Sequence, residues 1–283
     1  MSLFYSSPAF RPLIFFTSFF LLGVCGFLNG FVTSRMLKFF SLNDWKTGAL
    51  LAAIVFPCYV LMTMSLGDLV EIYVGSSAAM PISEGVLYYL IWWALDGPAA
   101  AFGSYKGFVT PLNLSPDVSP VKRSIPEQPW YLRPYSIPLL YGPLIFGSIF
   151  YEFGYIMESI WRSYAVYGMF FILLASLLMM GVTIASLSIV ITYKSLSHQN
   201  YDWWWNSFCL GASGGVYMAL YSVYYLYTYE DTSFLSGDFI YYLIMQLISV
   251  CFGCMCGAIS LLSSYLFVER IYNNIAKGEF TRI

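Results

Sequence analysis

The chain has 283 residues, of which 59% are hydrophobic, 20% aromatic and only 10% charged, and its mean hydropathy is +0.69. A soluble domain of this length needs roughly a quarter of its residues charged to cover its surface, so a water-soluble globule is excluded and lipid is the implied solvent. The formal net charge of -2 arises from few, nearly cancelling charges and gives no reason to expect a nucleic-acid partner.

A helix needs roughly 20 mostly apolar residues to cross the hydrocarbon core, and the sequence offers seven such runs. In chain order they extend from Pro12 to Val32, Gly48 to Leu66, Gly85 to Tyr105, Ser136 to Met157, Tyr164 to Thr192, Phe208 to Tyr229 and Phe239 to Val268. The expected fold is an all-α membrane protein, a polytopic bundle of about seven transmembrane helices forming a single transmembrane domain over residues 1–283. The fifth and seventh runs exceed the bilayer thickness and should tilt or continue into water as helix. The first basic residue is Arg11 and a long apolar run follows it, so the start reads as a spanning helix rather than a cleaved leader.

Eleven of the thirteen basic residues fall on one side of this arrangement. They are Arg35, Lys38 and Lys46, then Lys106, Lys122, Arg123 and Arg133, then Lys194, and finally Arg270, Lys277 and Arg282. By the positive-inside rule that side is cytosolic, which puts the N-terminus in the lumen or outside the cell and the C-terminus in the cytosol. The long connection at 107–135 is rich in proline, which blocks regular structure, and reads as an irregular cytosolic loop. Asn113-Leu-Ser115 fits a glycosylation acceptor but would lie on the wrong side of the membrane to be modified.

Two acids lie within the apolar runs. Asp96 and Glu152 form a candidate intramembrane polar site, because an ionisable group in lipid is costly unless paired, protonated or hydrated. Asp96 precedes Gly97-Pro98, where the missing N–H is expected to break the helix beside a small hydrated cavity. Four pairs of glycines are spaced to share helix faces: Gly26 with Gly30, Gly103 with Gly107, Gly211 with Gly215, and Gly253 with Gly257. Such faces let backbones approach closely, so they are read as packing within the bundle or, on the sharper reading, as docking sites for another protein's transmembrane helix. Trp203, Trp204 and Trp205 suit a membrane boundary, where indole rings settle at headgroup level.

No catalytic constellation, phosphate-cradling loop or cofactor motif is visible, so no enzyme activity and no cofactor are expected. The cysteines lie in apolar runs, and Cys251, Cys254 and Cys256 lack the His or carboxylate that would make a metal site. His198, the sole histidine, reads as a solvated loop residue.

Several segments resemble the nonaspanins, the transmembrane 9 superfamily. They are Ile125-Pro-Glu-Gln-Pro-Trp130, covering Pro126, Glu127, Gln128, Pro129 and Trp130, together with Glu152 in an Ile-Phe-Tyr-Glu-Phe setting. The others are Phe102-Gly-Ser-Tyr-Lys-Gly-Phe108, Tyr201-Asp-Trp-Trp-Trp-Asn-Ser-Phe208, Tyr221-Ser-Val-Tyr224 and Phe267-Val-Glu-Arg-Ile-Tyr272. The resemblance implies a non-enzymatic sorting or trafficking factor of Golgi and endosomal membranes, with transmembrane cargo proteins and membrane lipid as partners. It covers the family's last seven helices, so the large lumenal domain and two earlier spans are expected to be absent. Family members often end in a Lys-x-Glu tail read by the coatomer; the nearest match, Lys277-Gly-Glu279, is followed by Phe280-Thr-Arg-Ile283 and departs from that pattern. Where the family usually has an acidic pair before the triple Trp, Gln199-Asn200 stand here. The alternative function is a secondary transporter using Asp96 and Glu152.

Overall fold

The computed structural model describes residues 11–39, 44–75, 82–111, 124–154, 157, 169–229 and 235–280. These residues form an all-α membrane protein, with no strand among them. The helices are α1 (Arg11–Phe39), α2 (Trp45–Val74), α3 (Ile82–Val109), α4 (Ser136–Gly147), α5 (Met169–Ser197), α6 (Trp203–Tyr229) and α7 (Leu235–Phe280). The described residues of the seven apolar runs fall on helix, apart from the turn at 148–149. Among the described residues four stretches are long and apolar enough to span a membrane by themselves: Phe19–Lys38, Trp45–Val74, Leu174–Ser197 and Gly237–Asn274. Helices α3 and α6 have the length, at 28 and 27 residues, but carry more Gly, Ser and Tyr. Helix α7 has 46 residues. Its length is about 69 Å at the usual rise, more than twice a hydrocarbon core, so it must continue into water as expected of the seventh run.

The fourth run departs from a single rod. Helix α4 stops at Gly147, residues 148–149 form a turn, and helix resumes at 150–154. Pro143 inside α4 and the following Gly147 weaken the ladder there. In contrast, α3 runs unbroken through Gly97-Pro98, correcting the expected break at that site. The α3 backbone beyond the proline lies in close contact with α1, which holds the turn in helical form.

The chain divides into two compact units, one of residues 1–120 and 235–243, the other of 121–234 and 244–283. In the first, α1 and α3 meet through their glycines. A Cβ on Gly30 would fall within 3.0 Å of the Ala100 backbone, and one on Gly103 or Gly107 would strike the carbonyl of Phe27 or Phe31. Ser104 Oγ, fully buried, donates to the Gly30 carbonyl at 3.2 Å. Helix α2 joins them where Asn29 Nδ2 donates to the Ala52 carbonyl at 3.0 Å. Asp44 caps the start of α2 by accepting from Lys46 N, and Gly75 ends it in the left-handed conformation at φ 70°. Lys38 Nζ donates to the Phe108 and Thr110 carbonyls at 2.8 and 3.2 Å, placing a cation at the negative end of α3.

In the second unit, α6 and α7 pack through Gly211, Gly215 and Gly253. A Cβ on Gly211 would meet the Cys256 carbonyl, and one on Gly215 would meet Ser249 and Gly253. Helix α5 is fastened to α7 by hydroxyls: Ser188 Oγ donates to the Ser260 carbonyl at 2.7 Å, Ser264 Oγ bonds both Ser188 and Thr192, and Ser260 Oγ donates to the Ser207 carbonyl of α6 at 2.5 Å. Buried hydroxyls in lipid require such partners. Phe146, Phe150 and Phe153 surround the Tyr221 ring at 5.7, 5.1 and 5.7 Å, tying the interrupted fourth segment to α6.

Candidate functional site

The clearest polar feature of the first unit grows from three small sequence choices. Trp92 and Asp96 stand four residues apart on α3 and so share a helix face. Opposite them α1 presents Gly26, whose missing side chain leaves room for the carboxylate: a Cβ there would collide with Asp96 Oδ1. Pro57 of α2 removes one backbone donor from the third wall. The result is a cavity of about 380 Å³ lined by Gly26, Asn29, Phe56, Pro57, Trp92 and Asp96, among others.

Asp96 is only 6% exposed. Among the described residues it has neither a cation nor a hydrogen-bond donor. The Trp92 Nε1 proton is buried and likewise without an acceptor. Two polar groups of α3 are therefore left unanswered among the described residues, each normally costly in an apolar setting. Asn29 is engaged, donating to Ala52 and accepting from Thr33 Oγ1 at 3.4 Å.

Glu152 sits in the helical segment after the 148–149 turn, partly buried and with no partner among the described residues. It belongs to the second unit and Asp96 to the first.

The eight glycines occupy interfaces inside the units. Gly211 and Gly215 are closed off by α7, and Gly26, Gly30, Gly103 and Gly107 lie between α1 and α3. Gly253 faces the backbone of α6, and Gly257 lies against the Phe208 ring. An incoming helix would have to displace a resident one to use Gly211 or Gly215, so these faces hold the bundle and are not open grooves.

Two segments singled out in the sequence come together in the second unit. Residues 124–129 are extended, Trp130–Leu132 form one turn of 3-10 helix, and Gln128 Nε2 donates to the carbonyls of Pro126 and His198 at 3.0 and 3.1 Å. The Pro126–Trp130 segment thus braces the turn that leads into Trp203, and Lys194 of α5 lies 5.6 Å from the Tyr131 ring centre. The three Trp residues form the first turn of α6. Trp203 is buried and stacks on Trp204 at 4.1 Å, whereas Trp205 is 72% exposed. His198 is exposed. Lys277 and Glu279 fall in the last turns of α7, with side chains outside the described residues, as Asn113 is altogether. Among the described residues no three His, Cys, Asp or Glu side chains gather as metal ligands would.

Sequence reasoning found Asp96 but missed Trp92 and Asn29, which line the same cavity. Their four-residue and helix-pairing relations were present in the sequence, yet only a neighbouring helix turns them into one site.

The family model for endomembrane protein 70 matches residues 1–235. The chain belongs to that family. Relatives include "Transmembrane 9 superfamily member 10" of Arabidopsis thaliana, 31% identical over 253 residues, covering 88% of this chain and 39% of the relative. "Transmembrane 9 superfamily member 4" of Homo sapiens is 28% identical over 273 residues, covering 94% and 41%, and human "member 2" is 29% identical over 268 residues, covering 94% and 40%. The chain therefore spans about two fifths of the length of the curated relatives it matches. No solved structure matches it. The nonaspanin resemblance carried by the Pro126–Trp130 and Trp203–Trp205 segments agrees with this membership.

Proposed function

We propose that this endomembrane protein 70 family chain is a non-enzymatic sorting factor for other membrane proteins in Golgi and endosomal membranes, acting on the transmembrane helices of its cargo. The observation that carries this reading is the cavity at Asp96, a buried acid in a mostly apolar recess of helices that expose side chains such as Val55 and Phe56. A sorting factor that works inside the bilayer needs a feature that distinguishes one greasy helix from another, and polar groups are the strongest discriminators available there. The asymmetry of Lys and Arg supports a cytosolic 107–135 loop and a cytosolic tail, with Lys277 and Glu279 as the part a coat component would meet.

The test is depletion of the full-length protein in cells that express a panel of single-span reporters differing only in their transmembrane helix. A subset of reporters is expected to leave its normal compartment, and a soluble secreted reporter to be unaffected. If every reporter keeps its distribution, the sorting role is wrong.

A secondary transporter is the second reading, favoured by the interruption at 148–149 just before Glu152, since interrupted helices often flank transport sites. Ion or solute flux in reconstituted vesicles that is lost in Asp96→Asn or Glu152→Gln would favour it; intact sorting with no flux would remove it.

A further inference from the structure

We propose that the cavity at Asp96 receives an alkylammonium group, supplied by a lysine at mid-membrane on the transmembrane helix of a partner protein. The choice of source rests on the sorting reading above; the chemistry of the group rests on the cavity alone.

The carboxylate of Asp96 is buried, lines the cavity and meets no cation among the described residues. Three described basic side chains of the same unit are engaged elsewhere: Lys38 with the α3 carbonyls, Arg35 over the Phe31 ring at 5.6 Å and Lys106 over the Phe102 ring at 5.8 Å. Lys106 also lies ten residues beyond Asp96 on α3, about 15 Å along the axis, out of pairing range. The cavity thus leaves the acid open to a positive partner from outside the unit.

Its type follows from the walls. A hard metal ion wants roughly six oxygens, whereas the cavity offers the Asp96 carboxylate and an Asn29 amide already in use. An ammonium needs few acceptors and is favoured by aromatic surroundings, which Trp92 and Phe56 supply. Phe56 and its neighbour Val55 are 44% and 61% exposed, so the body that carries the ammonium must itself be apolar. A lysine-bearing transmembrane helix meets these conditions, with its charge neutralised by the acid in place of water.

The test uses the full chain in lipid nanodiscs and two photo-crosslinkable leucine-rich peptides of roughly 20 residues, one with a single central lysine and one with leucine there. The native chain is expected to capture the lysine peptide about tenfold better than the leucine peptide. Asp96→Asn should abolish that preference while keeping the melting behaviour of the native chain. Gly26→Ala, which crowds the carboxylate without touching its charge, should reduce the preference, giving a second variant should Asp96→Asn fold poorly. Equal capture of the two peptides, or a preference that survives Asp96→Asn, overturns the proposal. Hexylammonium serves as the free-amine probe: if it binds in an Asp96-dependent way while the lysine peptide shows no preference, the helix-borne source is overturned as well. A clear lysine preference with no reporter displaced on depletion would sink the sorting role and leave this site standing; displaced reporters with no preference would do the reverse.

Discussion

Gly30→Leu is expected to destabilise the first unit by about 3 kcal/mol, the upper part of the range for overpacked interiors. The position already lacks room for a methyl group, because a Cβ would lie within 3.0 Å of the oxygen and carbon of the Ala100 carbonyl. That obstacle is helix backbone, which cannot swing aside as a side chain does. Helices α1 and α3 would have to separate, and with them would go the Ser104 bond to Gly30 and the seats of Gly103 and Gly107. Gly23 on the same helix is the control, since a Cβ there meets nothing within 4 Å, and Gly23→Leu should change stability by less than about 0.5 kcal/mol. Thermal unfolding of the purified chain in detergent separates the two; equal melting temperatures would show that α1 and α3 do not cross at Gly30.

Leu132→Ala should cost about 2–5 kcal/mol, the range for large-to-small changes at fully buried sites. Leu132 is 0% exposed and closes the single 3-10 turn that follows the Pro126–Trp130 segment. It is the apolar anchor of that segment, while Gln128 supplies the polar one through the His198 carbonyl. Loss of the anchor should also free the segment, so limited proteolysis near residues 124–129 should accelerate in the variant. Unchanged melting and cleavage would mean that the segment does not depend on Leu132 for its place. By comparison the neighbouring Trp130, at 66% exposed, should tolerate substitution with little loss of stability.

The helical membrane fold was legible because lipid imposes one constraint, runs of about 20 apolar residues, that composition alone reveals. The interruption at 148–149 was not, since Ser136 to Met157 reads as one apolar stretch and hydropathy is blind to where a ladder breaks. Pro98 misled in the opposite direction: a missing N–H weakens a helix, but close packing on α1 keeps α3 continuous. Glycine spacing pointed to helix faces and could not identify neighbours. That Gly30 meets Ala100 and Gly211 meets Cys256 depends on which helices lie side by side. Asp96 stood out as an acid in an apolar run, whereas its cavity required Gly26 and Phe56 from two other helices to be brought alongside.

The proposed function needs a multi-span bundle whose basic loops face the cytosol. Glycosylation mapping of the full chain in sealed microsomes tests this most directly, with flexible acceptor cassettes placed within 112–120, within 230–234 or after Ile283 in separate copies. The account predicts a glycan on the 230–234 cassette and none on the other two or on native Asn113. A glycan on the 112–120 cassette or on the tail would contradict it.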